Sequence, residues 1–222
     1  MSNSKTIVIA IDGGAAAGKS STSRGLSERF NLMHVDTGSF YRAITLKLLQ
    51  AKIPAVSDDA LNAGLAQFEL RTEITGQLAA ISIDGWVPDA SIRSEEVNNN
   101  VSHYAALPEV RAFLLDYQRK QTDVARDNQF NGLVIEGRDI GSVVFPDADL
   151  KLFMYADPEK RAARRAKEGI IDDLAKRDAI DSSRKAAPLS RPEGSVLVDS
   201  SDLTLEEVIE HVASLVSNLI KN

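Results

Sequence analysis

The chain of 222 residues contains no cysteine. Disulfides and thiolate metal sites are therefore excluded, and a reducing compartment suits the composition. Three histidines, His34, His103 and His211, stand at no metal-like spacing and receive no role. No apolar run approaches the length of a bilayer span, so no membrane partner is expected. Residues 1–6 lack the apolar stretch of a secretory signal, and the expected location is the cytoplasm. Basic residues are not in excess: 26 Lys and Arg against 32 Asp and Glu leave a net charge of -6, which argues against a general nucleic-acid binder. Internal repeats and low-complexity tracts are absent. So is the guanine-reading N-K-x-D of small GTPases. The acidic pair that closes an apolar strand in motor ATPases has only Val134-Ile135-Glu136 as a counterpart, followed at once by Gly-Arg-Asp.

What is present begins near the N-terminus. Gly13-Gly14-Ala15-Ala16-Ala17-Gly18-Lys19-Ser20 fits G-x-x-x-x-G-K-[ST] in full. An apolar, β-branched run, 7–11, precedes it, and a helical stretch, 20–30, follows. Strand, glycine loop and helix together form the setting of a polyphosphate site. Small residues let backbone N–H groups turn inward around phosphate oxygens. The helix start adds free N–H groups and partial positive charge. Gly13, Gly14, Ala15, Ala16, Ala17, Gly18, Lys19, Ser20 and Ser21 are thus the expected nucleotide-binding residues. Lys19 would reach the β- and γ-phosphates, and Ser20 would offer its hydroxyl to Mg²⁺.

Strands and helices then alternate. A short strand at His34-Val35 leads to Asp36 and Thr37, both good helix starters, and a helix over 38–49. Ser57 and Asp58 cap a short helix. Residues 68–74 and 78–83 alternate with period two, and Asp84-Gly85 is a hairpin signal. This antiparallel segment is expected to be an inserted lobe spanning 68–101. Helices over 94–105 and from Pro108 to about 130 follow, then strands at 133–136, 150–155 and 196–199, with helices at Pro158, over 171–185, and after Thr204. Such alternation predicts a single domain, 1–222, of α/β class: a doubly wound parallel sheet with ligands at the C-terminal strand ends. Asp12 reads as an acceptor for loop N–H groups, ahead of a water-mediated aid to Mg²⁺. Asp36 reads as a helix N-cap or as a partner of Lys19 or the metal.

A glycine loop names the donor and leaves the chemistry open. Arginines recur at loops and strand ends, among them Arg42, Arg111, Arg138, Arg161, Arg165, Arg177 and Arg184. Transfer between two phosphates gathers many anionic oxygens and asks for positive charge on both partners. Arg meets this need because its fork pairs bidentately with phosphate and keeps its proton.

These residues carry a resemblance over nearly the full length. The chain resembles the bacterial cytidylate kinases of the nucleoside monophosphate kinase family. The similarity lies in the glycine loop, in Asp36-Thr37-Gly38-Ser39-Phe40-Tyr41-Arg42, in Ile92-Arg93-Ser94-Glu95-Glu96-Val97 and in Val101-Ser102. It continues in Pro108-Glu109-Val110-Arg111, in Glu136-Gly137-Arg138-Asp139-Ile140-Gly141 through Ala148, and in Arg177-Asp178 with Asp181-Ser182-Ser183-Arg184. The resemblance implies ATP with Mg²⁺ as donor, CMP or dCMP as acceptor, and a monomer. It implies that Thr37, Tyr41 and Arg42 line the acceptor site and that Arg42, Arg138 and Arg184 clamp the CMP phosphate. Ser102, Arg111 and Asp139 would read cytosine, and Arg177 and Asp181 would hold the sugar hydroxyls. Lys19, Arg138, Arg161, Arg165 and Arg184 would carry the catalytic charge. The implied lid, 161–177, is roughly ten residues shorter than the family leads one to expect.

Overall fold

A computed structural model describes residues 6–167 and 174–220 of the chain. The expected doubly wound fold is present. Strand β1 (Ile7–Gly13) runs into the glycine loop and helix α1 (Lys19–Phe30). Then come β2 (Leu32–Asp36), α2 (Thr37–Gln50), α3 (Asp59–Leu65), β3 (Leu70–Thr75), β4 (Leu78–Ile83), α4 (Glu95–Ala105) and α5 (Pro108–Asp127). The second half holds β5 (Gly132–Gly137), β6 (Leu150–Tyr155), α6 (Pro158–Lys167), α7 (Leu174–Ser183), β7 (Val196–Asp199) and α8 (Leu205–Ile220). The described strands form one sheet in the order β3-β4-β2-β5-β1-β6-β7, parallel except where β3 meets β4.

Alternation along β1 explains the layers. Val8 and Ala10 point into a core with Phe40, Ile44, Leu61, Tyr104 and Leu114 of the helices on one face. Ile9 and Ile11 point the other way, toward Leu26 of α1 and Val208, Val212 and Val216 of α8. A strand buried on both faces reads as a continuous apolar run, as 7–11 does.

Local signals act as the residues suggest. Asp36 caps α2 by accepting from Ser39 N at 3.2 Å. Asp84 and Gly85 both take positive φ, 52° and 80°, the backbone of a tight hairpin turn. Thr204 and Glu207 exchange reciprocal bonds at the start of α8, a capping box.

The segment expected to form an inserted lobe forms its antiparallel pair, but β4 also pairs in parallel with β2 through His34–Leu78 and Val35–Ala79. The hairpin thereby widens the main sheet, because the edge of β2 offered unpaired N–H and C=O groups. Two short turns had no counterpart in the periodicity: a 3₁₀ turn at Ala90–Arg93 and a π-helical turn at Ile140–Val144. Within the expected lid, Ala166 and Lys167 end α6, whereas Glu168, Gly169 and Ile170 lie outside the described residues.

Candidate active site

A cleft of about 550 Å³ opens at the C-terminal ends of β1, β2 and β5. The glycine loop and the start of α1 form one wall, from Ala15 to Thr22. Gly13 adopts φ 149°, and a Cβ there would lie 2.2 Å from the Met154 carbonyl oxygen of the neighbouring β6, so only glycine fits. Gly18 takes φ 92° and Ala16 φ 57°. Alternating handedness of this kind turns successive N–H groups toward one point. Gly18 stands at the N-cap of α1 with no side chain to occupy the free amides, which leaves them for an anion.

Lys19 is buried and donates to the carbonyl oxygens of Gly13 and Gly14 at 3.0 and 2.8 Å. Burial, reinforced by the charge of Arg138, lowers its ammonium to about 7. An anion in the loop would relieve both effects. Ser20 is exposed on the cleft wall and donates to Glu136 Oε2 at 2.9 Å. The other oxygen of Glu136 meets His34 Nε2 at 2.8 Å. Asp36 lies opposite Glu136 in the β2–β5 register. Burial and the neighbouring Glu136 raise its carboxyl above the usual range.

The facing wall is built from side chains of several elements. Thr37, Tyr41 and Arg42 come from α2, Ser102 from α4, Arg138 and Asp139 from the turn after β5, and Arg177, Asp181 and Arg184 from α7 and its end. Arg111 of α5 forms an ion pair with Asp139 and stacks 5.6 Å from the Tyr41 ring centre. Arg138 Nε bonds Asp181 at 3.0 Å. Arg184 donates to the carbonyl oxygens of Asp181 and Ala187 at 3.2 and 2.9 Å. Arg42 donates to Ile92 O and Asn98 Oδ1 at 3.0 and 2.8 Å. Burial, followed by the field of Arg177, pushes Arg42 down to about 9. Burial also lowers Arg184, and it raises Asp139 despite the Arg111 contact. Buried cations that press on one another in a cleft form a site for an anion.

Most expected site residues therefore converge. Arg165 lines the cleft with Ser20, Ser21 and the acceptor-wall arginines. Arg161 does not line it. Its guanidinium donates to Ala15 O at 3.1 Å and pairs with Asp178, whose other oxygen accepts from Ala15 N at 3.2 Å. Arg161 thus braces the loop from behind, beside Gly14. Gly13 and Gly14 serve through their carbonyls, as acceptors for Lys19. Asp12 is an acceptor, as expected, but for another loop: its carboxylate takes Ile140 N and Gly141 N, both at 2.7 Å. Burial outweighs those two bonds and raises Asp12 to about 6.

Further residues line the cleft without a sequence motif that marks them as ligands. Arg164 reaches Ser200 O at 2.5 Å, and Leu203, Leu205 and Val208 give the loop end of the cleft an apolar side. Glu136 carried a readable signal, an acid closing an apolar strand. The apolar trio did not, since its sequence resembles any helix start.

Three comparisons bear on this geometry. A family model described as cytidylate kinase matches residues 9–218. A cytidylate kinase of Streptomyces avermitilis is 43% identical over 95% of this chain and 92% of its own length. One from Clostridioides difficile is 37% identical over 95% and 98%. Among solved structures, an unliganded sugar kinase from Janibacter sp. HTCC2649 is similar with a TM-score of 0.50 at 14% identity, covering 96% of this chain and 95% of that one, which speaks to the fold. A match spanning almost the whole chain, on a fold with a glycine loop facing a wall of arginines, means that this chain belongs to the cytidylate kinase family.

Proposed function

We propose that the chain transfers the γ-phosphoryl group of ATP to CMP or dCMP, giving ADP and CDP or dCDP. One observation carries this reading: a single cleft holds two walls suited to phosphate, the glycine loop and the arginine cluster. Family membership adds the choice of cytosine.

The acceptor oxygen is already anionic at neutral pH, so attack on the γ-phosphorus needs no general base. The work left to the protein is alignment and charge neutralisation. Loop amides and Lys19 bind the donor phosphates. Arg42, Arg138 and Arg184 hold the acceptor phosphate in line, and Arg165 adds positive charge from the lid. Arg177 and Asp181 face the sugar. Arg111 and Asp139 present donors beside an acceptor, complementary to cytosine, whose N3 and O2 accept and whose N4 donates. Uracil would set its O4 against the carboxylate, so UMP is disfavoured. Thr37, Tyr41 and Ser102 complete the pocket wall.

The oxygens of Ser20 and Asp36 suit a hard cation such as Mg²⁺, which draws much of its shell from substrate phosphates and water, while Glu136 is occupied by Ser20 and His34. Held by these residues, Mg²⁺ would supply positive charge that neutralises the donor phosphates. We place the enzyme in the cytoplasm, as a monomer, by its resemblance to the family.

An ADP-release assay across CMP, dCMP, UMP, AMP and shikimate tests the assignment. CMP and dCMP should be preferred. Equal turnover of UMP or AMP, or none of CMP, overturns it.

A further inference from the structure

His34 stands beside the cleft, and the phosphoryl-transfer reading gives it no role. Its backbone is held on both sides: it pairs with Val134 of β5 and Leu78 of β4, and its N–H donates to Gln77 O at 2.7 Å. The ring is almost fully buried, and Nε2 lies 2.8 Å from Glu136 Oε1. A carboxylate only accepts, so the shared hydrogen sits on Nε2. Glu136 is likewise buried, and its second oxygen accepts from Ser20 Oγ at 2.9 Å. Its backbone carbonyl accepts from Thr37 Oγ1 at 2.7 Å. The result is a chain of contacts from a rigid strand to an exposed hydroxyl: His34 to Glu136 to Ser20.

The chemistry of a hydroxyl gives that chain a consequence. Ser20 has one hydrogen and two lone pairs. With the hydrogen committed to Glu136, the lone pairs are left for a cation in the cleft. A hydroxyl free to rotate would spend part of its time pointing hydrogen at the cation. Glu136 can fix Ser20 only while its own carboxylate is fixed, and His34 supplies the bond to the far oxygen.

We propose that His34 is a positioning residue: through Glu136 it sets the direction of the Ser20 hydroxyl, and so the affinity of the glycine loop for metal–nucleotide. His34 itself touches neither metal nor nucleotide. The inference rests on the kinase reading to the extent that Ser20 meets a metal-bound nucleotide. Outer partners of this type commonly change metal affinity by about ten- to a hundredfold.

Calorimetric titration of ADP into the full chain, with Mg²⁺ and separately with EDTA, provides the test. His34→Leu should weaken Mg·ADP about tenfold and leave metal-free ADP unchanged. His34→Gln, whose amide nitrogen can serve as Nε2 does, should recover most of the loss. Glu136→Gln should show the same metal-specific loss, and it decides the matter if His34→Leu does not fold. Three results overturn the proposal: wild-type Mg·ADP affinity in His34→Leu, equal losses with and without metal, or a Gln variant no better than the Leu variant. If His34→Leu is unfolded, a Glu136→Gln variant with wild-type metal dependence overturns it too. A wild-type chain that binds Mg·ADP yet ignores CMP breaks the functional reading and leaves this measurement standing.

Discussion

The two walls of the cleft achieve positive potential by opposite means. The loop wall is contiguous in sequence and acts mainly through backbone amides, held by glycine conformations and a helix start. The acceptor wall gathers side chains from α2, α4, the turn after β5, and α7 and its end, with Arg111 of α5 paired to Asp139 behind them. Many of its charges are already engaged: Arg111 with Asp139, Arg138 with Asp181, Arg42 with Asn98. The loop needs little rearrangement to receive phosphate, because amides aimed at a point have few alternatives. On the acceptor wall, phosphate must compete with carboxylates or share arginines with them. Specificity there follows from which partners can be exchanged.

That contrast can be broken at its strongest point first. Lys19→Ala removes the one side-chain charge of the loop wall. It should lower kcat/KM at least about a hundredfold, on the order of 3 kcal/mol, equally for CMP and dCMP. A loss under about tenfold would mean that the amides alone carry the transition state.

Arg184→Ala and Arg138→Ala probe the other wall. Each should raise the KM for CMP about tenfold or more and leave that for ATP within about twofold, as expected for a lost charge-assisted bond. If ATP suffers equally, the walls do not divide donor from acceptor.

Asp139→Ala should act on choice rather than rate. The preference for CMP over UMP should fall about tenfold, roughly 1.4 kcal/mol. An unchanged ratio removes Asp139 from cytosine recognition.

Lys19 also predicts a pH effect that the arginine wall does not share. In the free protein its ammonium lies at about 7, below the ordinary 10.5, and bound polyphosphate should raise it again. Nucleotide binding at about pH 8 should therefore take up a fraction of a proton, and affinity should decline as pH rises above about 7. Below that point Lys19 is charged in both states, and the uptake should vanish. Calorimetry in buffers of different ionisation enthalpy reads this directly, and Lys19→Arg should abolish it.

The smallest effect concerns the brace behind the loop. Arg161 and Asp178 bracket Ala15 and stay out of the cleft. Arg161→Ala and Asp178→Ala should couple by about 1 kcal/mol in a double-mutant cycle read by urea unfolding. Independent effects would deny the brace.

Legibility followed locality. The glycine loop, the Asp36 cap, the Asp84-Gly85 turn and the Thr204 capping box each lie within a few residues, where backbone sterics and short-range bonds decide. The convergence of Arg138, Asp139, Arg177 and Arg184 came from resemblance to a family, since nothing in their spacing brings them together. Arg161 shows the limit from the other side. Its i, i+4 relation to Arg165 places both along one helix, yet one guanidinium lines the cleft and the other turns to Asp178 of α7. The helical period cannot say which carboxylate a neighbouring helix will offer. Asp12 was legible as an acceptor for N–H groups, and the donors proved to come from a turn 128 residues away.

By itself, the amino-acid sequence determined the order of strands and helices, the phosphate loop and the doubly wound class. Periodicity, glycine conformation and capping are properties of neighbouring residues, and they survive without knowledge of the rest of the chain. Only the tertiary structure decided that β4 joins β2, that Arg161 supports the loop from behind, and that His34, Glu136 and Ser20 touch. Those contacts unite residues up to 146 positions apart. A contact of that span is set by how the sheet and its two helical layers close on one another, which no local pattern records.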